Sequence, residues 1–316
     1  MLSPYPEAER APAPAATAIR AWDEVPPFRR ALVVANPIAG RGRGLKVGRE
    51  VVEGLERRGV EAELHLTTAR GCGRARVRCL DEACDLVVSV GGDGTLREVF
   101  DGLCDSDVPV GMVPLGTANV LGLDLGLPRD VDRALEVMVA RKLARIDVAR
   151  VNGHLSFLVT GVGIDGMAVR EVELRRTGPI TKAAYVGALL RALRGYRAPS
   201  LRVELDGHPV EGEFGLVLVS NIVNYGGIFR LSPDRRLDDG LFEVYLFRDA
   251  SRTALAGVAL RGLLARLPGS AGEMRRARSV RIDSERPVAY QVDGDFRGET
   301  PVEIEVADRQ YRLLVP

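Results

Sequence analysis

The sequence is short of net charge, aromatics, cysteine and long apolar runs, and each shortage removes a class of function. Forty-four Lys and Arg against 43 Asp and Glu leave a formal net charge of +1 over 316 residues. Such a balance gives no global attraction for nucleic acid, and 5% aromatic content leaves little for base stacking. Cys72, Cys79, Cys84 and Cys104 form no Cys-x-x-Cys, and His65, His154 and His208 form no pair at zinc spacing. Reduced, structural thiols in a cytosolic protein are expected. No run of 18 apolar residues occurs, so no transmembrane helix is expected. Pro4, Pro6, Pro12, Pro14, Pro26 and Pro27 lie among many alanines, without the basic start and apolar core of a secretory signal. Residues 1–28 therefore read as a disordered tail. A Ser/His/Asp nucleophile would need a strand–elbow–helix context that is missing here.

What is present is enough apolar residue, 46%, for about two domains. From Ala31 to Val113 strand and helix patterns alternate. Strands are predicted at Ala31–Ala35, Ala62–Leu66, Leu86–Val90 and Pro109–Val113. Helices are predicted at Leu45–Arg58, Arg74–Ala83 and Thr95–Leu103. This order implies a parallel sheet with helices on its faces, an α/β domain over 29–145. Beyond Ile146 strands dominate: Ile146–Val151, Leu155–Thr160, Leu201–Leu205, Phe214–Ser220, Leu241–Phe247, Ser279–Asp283, Val288–Val292, Val302–Val306 and Tyr311–Val315. Asn152-Gly153 and Asp206-Gly207 are hairpin-type turns. Helical stretches interrupt at Thr181–Leu193 and Ser251–Leu267. A mostly antiparallel β-sandwich over 146–316 is expected, with the last strand free to return to the first domain.

The first domain is organised around Gly91-Gly92-Asp93-Gly94-Thr95. A glycine turn between a buried strand and a helix aims backbone N–H groups at an anion, and the helix dipole adds to this. Asp93 would repel a phosphate unless a divalent cation lay between them, which points to a nucleotide phosphate with Mg²⁺. The plain alternative is a helix start capped by Thr95 and Glu98. Three further loops fall at the same inferred sheet edge: Asn36-Pro37-Ile38-Ala39-Gly40, Thr67-Thr68-Ala69-Arg70-Gly71 and Pro114-Leu115-Gly116-Thr117-Ala118-Asn119. Each alone is an ordinary turn; four at one carboxyl edge favour a nucleotide cleft.

The second half carries two acidic clusters, Asp234-Arg235-Arg236-Leu237-Asp238-Asp239-Gly240-Leu241 and Asp293-Gly294-Asp295. The first reads as a solvated turn or a cation site. The second reads as a hairpin turn or a proton acceptor for a substrate hydroxyl. Arg252, Arg261 and Arg266 on the apolar stretch Ser251–Leu267, with Arg275, Arg276, Arg278 and Arg281, suit either an anionic membrane surface or plain solvated arginines.

Taken in order, these motifs resemble the diacylglycerol kinase catalytic-domain family, which includes bacterial lipid kinases and the sphingosine and ceramide kinases. The matching pieces are Asn36-Pro37 with Gly40, Thr67 with Gly71, Gly91–Thr95 with Glu98, Gly116-Thr117-Ala118-Asn119, Gly163-Ile164-Asp165, Asp238-Asp239-Gly240-Leu241 and Asp293-Gly294-Asp295. The resemblance implies ATP in an interdomain cleft, touched by Asn36, Thr67, Gly91–Thr95 and Thr117, with Asp93 near the Mg²⁺-ATP phosphates. It implies a general base at Asp293 or Asp295. It also implies a structural Mg²⁺ on the Asp239 side chain and the carbonyls of Arg236 and Leu241. Val120 stands where Asp is common, and Cys72-Gly73 where a polar residue and Ala are usual. The implied activity is ATP-dependent phosphorylation of a lipid hydroxyl, diacylglycerol to phosphatidic acid first, with a sphingoid base as an alternative. The implied setting is a cytoplasmic protein on the inner face of the membrane, with a homodimer open. An NAD kinase, which shares a Gly-Gly-Asp-Gly loop, and a non-catalytic lipid-binding protein are the competing readings.

Overall fold

The computed structural model describes residues 25–175, 187–189, 191–193, 196–225, 229–231, 236–251, 253–255, 257 and 272–316. The first half runs β1 (Arg30–Ala35), α1 (Ala39–Gly42), α2 (Gly44–Glu56), β2 (Glu61–Leu66), α3 (Cys72–Arg78), β3 (Leu86–Gly91), α4 (Asp93–Leu103), β4 (Val110–Pro114), α5 (Val120–Asp124) and α6 (Val131–Ala140). The second runs β5 (Leu143–Val151), β6 (His154–Ser156), β7 (Val159–Val162), α7 (Ile164–Leu174), β8 (Leu201–Leu205), β9 (His208–Pro209), β10 (Leu216–Ser220), β11 (Asn224–Tyr225) and β12 (Phe229–Arg230). It ends with β13 (Phe242–Phe247), β14 (Glu273–Ala277), β15 (Ser279–Ser284), β16 (Ala289–Val292), β17 (Asp295–Glu299) and β18 (Val302–Leu314).

Strands β2-β1-β3-β4 are parallel neighbours. β2 is a half-exposed edge strand, whereas the side chains of β1, β3 and β4 alternate between two buried layers, as the pleat demands. Leu32 and Val34 of β1 join Leu96, Val99 and Phe100 of α4 on one face. Ala31, Val33 and Ala35 join Val51 and Leu55 of α2 and Leu135 of α6 on the other. Each fully buried Val or Leu contributes about 1.5–3 kcal/mol, which is why these strands read as unbroken apolar runs. Val25 and Phe28, in the stretch assigned to the tail, pack against the second of these layers; residues 1–24 lie outside the described residues.

The sheet does not stop at β4. Strand β18 joins it in parallel at Leu313–Val110 and runs antiparallel to β5 and β15, so one ten-stranded sheet passes through both halves. A six-stranded antiparallel sheet, β14-β13-β10-β7-β16-β17, faces its far end. Val217, Val219, Val244 and Val292 of the six-stranded sheet bury against Val203, Ile282 and Ile304 of the long one. The result is the expected β-sandwich beside a parallel α/β unit. Asn152-Gly153, Asp206-Gly207 and Asp293-Gly294 each have two consecutive positive φ values, the geometry of tight two-residue hairpins.

Several elements depart from the sequence reading. Leu155–Thr160 is two strands with a turn between them, and Val302–Val306 and Tyr311–Val315 are two parts of the single β18. α6, α7 and β14 were not expected. Most of Thr181–Leu193 and Ser251–Leu267 lies outside the described residues. The capping box is corrected: α4 begins at Asp93 with Gly92 as its N-cap and has no side-chain cap. Thr95 donates its N–H to the Gly92 carbonyl, and Glu98 is engaged elsewhere.

Candidate active site

The four glycine-rich or polar loops all follow the carboxyl ends of parallel strands, as the topology requires. Asn36 takes its place by donating N–H to the Val90 carbonyl of β3 and accepting the Ile38 N–H on its side chain. Pro37 and Gly40 follow, Gly40 at φ +60°. A Cβ on Gly44 would stand 1.8 Å from the Asn36 carbonyl, so the loop lies directly on the first turn of α2. Thr67 donates its N–H to Ala35. Glu98 accepts the N–H of Gly71 at 2.8 Å and of Gly73 at 2.9 Å. It therefore ties the Thr67–Gly73 loop to α4.

The Gly91–Thr95 and Gly116–Asn119 loops touch backbone to backbone. A Cβ on Gly116 would lie 2.6 Å from the Gly92 Cα, so only glycine permits the approach. Asn119 sits in the left-handed region at φ 48° and donates to the Gly116 carbonyl at 2.7 Å. Val120 donates its N–H to Asp93 Oδ2 at 3.0 Å. The other carboxylate oxygen, Asp93 Oδ1, is buried with no hydrogen-bond partner, and so is Asn119 Oδ1. Two orphaned acceptors on adjoining loops are what remains when a donor or a cation is missing. Burial pushes the Asp93 carboxyl up to about 6, the nearby Asp293 charge adding to it against the N–H groups of Val120 and Leu121. Thr117, at the rim, is exposed.

The opposite wall is the β16–β17 hairpin. Asp293 Oδ1 accepts from the Ser156 hydroxyl at 2.9 Å and from the N–H groups of Leu158 at 3.0 Å and Val159 at 3.1 Å. Its Oδ2 has a single donor, the Phe157 N–H at 3.2 Å. Burial pushes this carboxyl above the ordinary carboxylate value, against Arg97, Ser156 and the donors of the β6–β7 turn. Asp295 is different. It pairs with Arg97, with Arg297 at 3.0 Å and with Arg70 at 3.8 Å. Burial pushes it up, but the three guanidinium groups outweigh that and hold it below the ordinary range. Arg97 also donates to the Val292 carbonyl at 3.4 Å. One helix thus carries Asp93 at its head and, one turn later, the cation that grips the opposite hairpin.

The Asp239 turn is held by Asp147 of β5 and Gln310 of β18. Gly240 donates its N–H to Asp147 Oδ2 at 2.7 Å, Leu241 donates its N–H to Asp239 Oδ1 at 3.2 Å, and Arg236 pairs with Asp238 at 3.0 Å. Gln310 of β18 spans Asp147 and the Asp238 carbonyl. Among the described residues no group of three or more His, Cys, Asp or Glu could hold a metal ion. The described arginines of the expected basic surface are each committed: Arg275 to Glu273, Arg276 to Glu243, Arg278 to Asp308 and Arg281 to Glu303.

Known proteins are similar in sequence and in fold. The sequence model of the diacylglycerol kinase catalytic domain matches residues 30–151, and that of the YegS C-terminal NAD kinase beta sandwich-like domain matches 158–315. A diacylglycerol kinase of Bacillus subtilis (strain 168) is 30% identical over 303 residues, covering 92% of this chain and 97% of its own. The chain belongs to the diacylglycerol kinase catalytic-domain family. It is accordingly an enzyme of the kinase class with an alcohol group as acceptor. A Staphylococcus saprophyticus diacylglycerol kinase is 27% identical over 279 residues, 86% of this chain and 91% of its own. The crystal structure of a diacylglycerol kinase from Bacillus anthracis str. Sterne has the same fold, with a TM-score of 0.75 at 23% identity over 92% of this chain and 99% of that one.

In this diacylglycerol kinase family member the Asn36, Thr67, Gly91–Thr95 and Gly116–Asn119 loops follow one sheet edge, Arg97 of α4 links that edge to the Asp293–Asp295 hairpin, and the Asp239 turn is tied to Asp147 and Gln310 instead. The sequence reading missed Arg97, Arg297 and Ser156. Arg97 carried a usable signal, since it lies four residues after Asp93 on one helix face. Arg297 lies two residues after Asp295, hence on the same strand face.

Proposed function

We propose that the protein transfers the γ-phosphoryl group of ATP to a lipid hydroxyl, converting diacylglycerol to phosphatidic acid, with Mg²⁺ as the metal. The observation that carries this is the buried, partnerless Asp93 Oδ1, with Asn119 Oδ1 likewise partnerless on the adjoining loop, whose backbone touches that of Gly92. An oxygen donor set of this kind suits Mg²⁺, whose chemistry here is to neutralise charge between phosphates and carboxylate. Asn36, Thr67, Gly91–Thr95 and Gly116–Thr117 hold the nucleotide, and Glu98 acts by fixing the Thr67–Gly73 loop. Asp293 accepts the proton of the acceptor hydroxyl at Oδ2, the oxygen with only one donor. Its raised proton affinity matches that task. Asp295, tied up by three arginines, aligns the hairpin instead. The remaining contribution is positioning, which dominates phosphoryl transfer. A second cation is proposed at Asp239 with the carbonyls of Arg236 and Leu241, an all-oxygen set, holding the β5–β18 junction.

The substrate keeps the reaction at the membrane's inner face, so contact with it is transient and peripheral. A sphingoid base is the alternative lipid. The name of the second sequence model keeps NAD in view as a competing acceptor. Labelled ATP with Mg²⁺ is offered to diacylglycerol and sphingosine in mixed micelles, and to NAD. Label in diacylglycerol supports the proposal. Label in NAD alone overturns it, and label in none of them favours a lipid-binding protein without catalysis.

A further inference from the structure

Behind the Asp293 hairpin lies a buried polar chain that no step above uses. Gln291 of β16 is 2% exposed, and Asp165 at the head of α7 is 5% exposed. The Gln291 side-chain oxygen accepts the Gly294 N–H at 2.7 Å. Its amide nitrogen donates to Asp165 Oδ2 at 2.8 Å and to the Val159 carbonyl at 3.3 Å. The Tyr225 hydroxyl donates to Asp165 Oδ1. Gly161, the β7 residue opposite Gln291, makes this possible: a Cβ there would stand 1.8 Å from Asp165 Oδ2.

We propose that Asp165 and Gln291 are positioning residues for the proton-accepting turn, with Asp165 fixing which way the Gln291 amide faces so that its oxygen pins Gly294. An amide has one accepting end and one donating end. Asp165 and the Val159 carbonyl both hold the donating end away from Gly294, Asp165 at the shorter distance and as the one acceptor of the two that a side-chain replacement can change. If the amide turns over, two N–H groups meet at Gly294 and the Asp293-Gly294 turn keeps only the bonds made to Asp293 itself. Asp293 then drifts from its acceptor hydroxyl, and displacement of about 1 Å suffices to slow such a step strongly. This rests on Asp293 being the proton acceptor.

The polarity argument predicts a swap. Asp165→Asn, with its oxygen kept by the donating Tyr225 hydroxyl, sets an amide N–H against the Gln291 amide, and Gln291→Glu alone sets two carboxylates together. Both changes in one protein restore complementarity at the 165–291 contact, because Asn at 165 donates to Glu at 291, which still accepts from Gly294, and only the longer bond to the Val159 carbonyl is lost. We expect each single variant to lose about tenfold or more in kcat with KM for ATP within about twofold. We also expect faster amide exchange at Gly294 in each, and recovery of most of both losses in the double variant. A double variant no better than the worse single, or singles with wild-type kcat and wild-type exchange at Gly294, overturns the proposal. Should Asp165→Asn fail to fold, Gln291→Met takes its place: slow turnover with fast Gly294 exchange supports the anchor, and wild-type values refute it. The exchange measurement needs no substrate, so it decides the positioning even if lipid phosphorylation fails. Full activity in Asp293→Asn would remove the base assignment alone.

Discussion

Replacing Asp93 by Asn should stabilise the ligand-free protein while abolishing its activity. The carboxyl is buried, one oxygen has no partner, and its proton affinity is raised from the ordinary 3.8 to about 6. Between those two pH values the folded protein holds a proton that the unfolded chain releases, so stability falls as pH rises through the window. Above about 6 the full penalty of the buried charge applies. At roughly 1.4 kcal/mol per decade of proton concentration, the penalty is on the order of 3 kcal/mol. Asn at 93 carries no such charge and keeps an acceptor for the Val120 N–H. With EDTA present and no nucleotide, the variant should melt several degrees above wild type at pH 7.5, and the gap should close by about pH 4. Comparing the two proteins cancels the titrating groups that do not interact with Asp93; Asp293, whose charge acts on it, belongs to the measured gap. Adding Mg²⁺ and ATP should favour the wild type, because binding stabilises the folded state. A variant less stable than wild type at pH 7.5, or a gap that ignores pH, would refute the reasoning.

Other perturbations test the remaining parts of the site. Asp293→Asn should lower kcat by about 10²–10⁴, the usual range for a general base, with ATP binding by calorimetry unchanged. Gly116→Ala should weaken ATP affinity and cost about 1–3 kcal/mol in urea melts, since its Cβ would stand 2.6 Å from the Gly92 Cα; an unchanged Kd would dissociate that contact from nucleotide binding. Asp239→Ala should erase any Mg²⁺-dependent rise in melting temperature that does not need ATP. If wild type shows no such rise, the second cation is absent.

Much of the parallel half was legible because β1, β3 and β4 are buried on both faces. Val33, Val34 and Val88 leave no polar alternation to confuse with a helix, and the glycines mark the turns. The loops were legible as a set for the same reason. What resisted reading depends on partners far away in sequence. Leu155–Thr160 looks like one strand, yet the Phe157 and Leu158 N–H groups turn toward a carboxylate 136 and 135 residues later. Glu98 has capping-box spacing from Thr95, but the Gly71 and Gly73 N–H groups, 27 and 25 residues earlier, take its two oxygens. The pairing of Arg97 with Asp295 spans 198 residues. It settles which of two acids two residues apart is neutralised, something no local pattern encodes.

Strand β18 also bears on the order in which the chain folds. The outer edge of β4 is paired by Leu313, and β5 lies along residues 304–314 of the same strand. During synthesis the parallel sheet and its glycine loops can form early, yet β4 remains an open edge until about two hundred further residues have left the ribosome. An unpaired hydrophobic edge is a template for association with other chains. The nascent first half is therefore the stage at which a chaperone would be most needed. A ribosome stalled anywhere in the β-sandwich would release a fragment prone to aggregate, however complete its nucleotide loops.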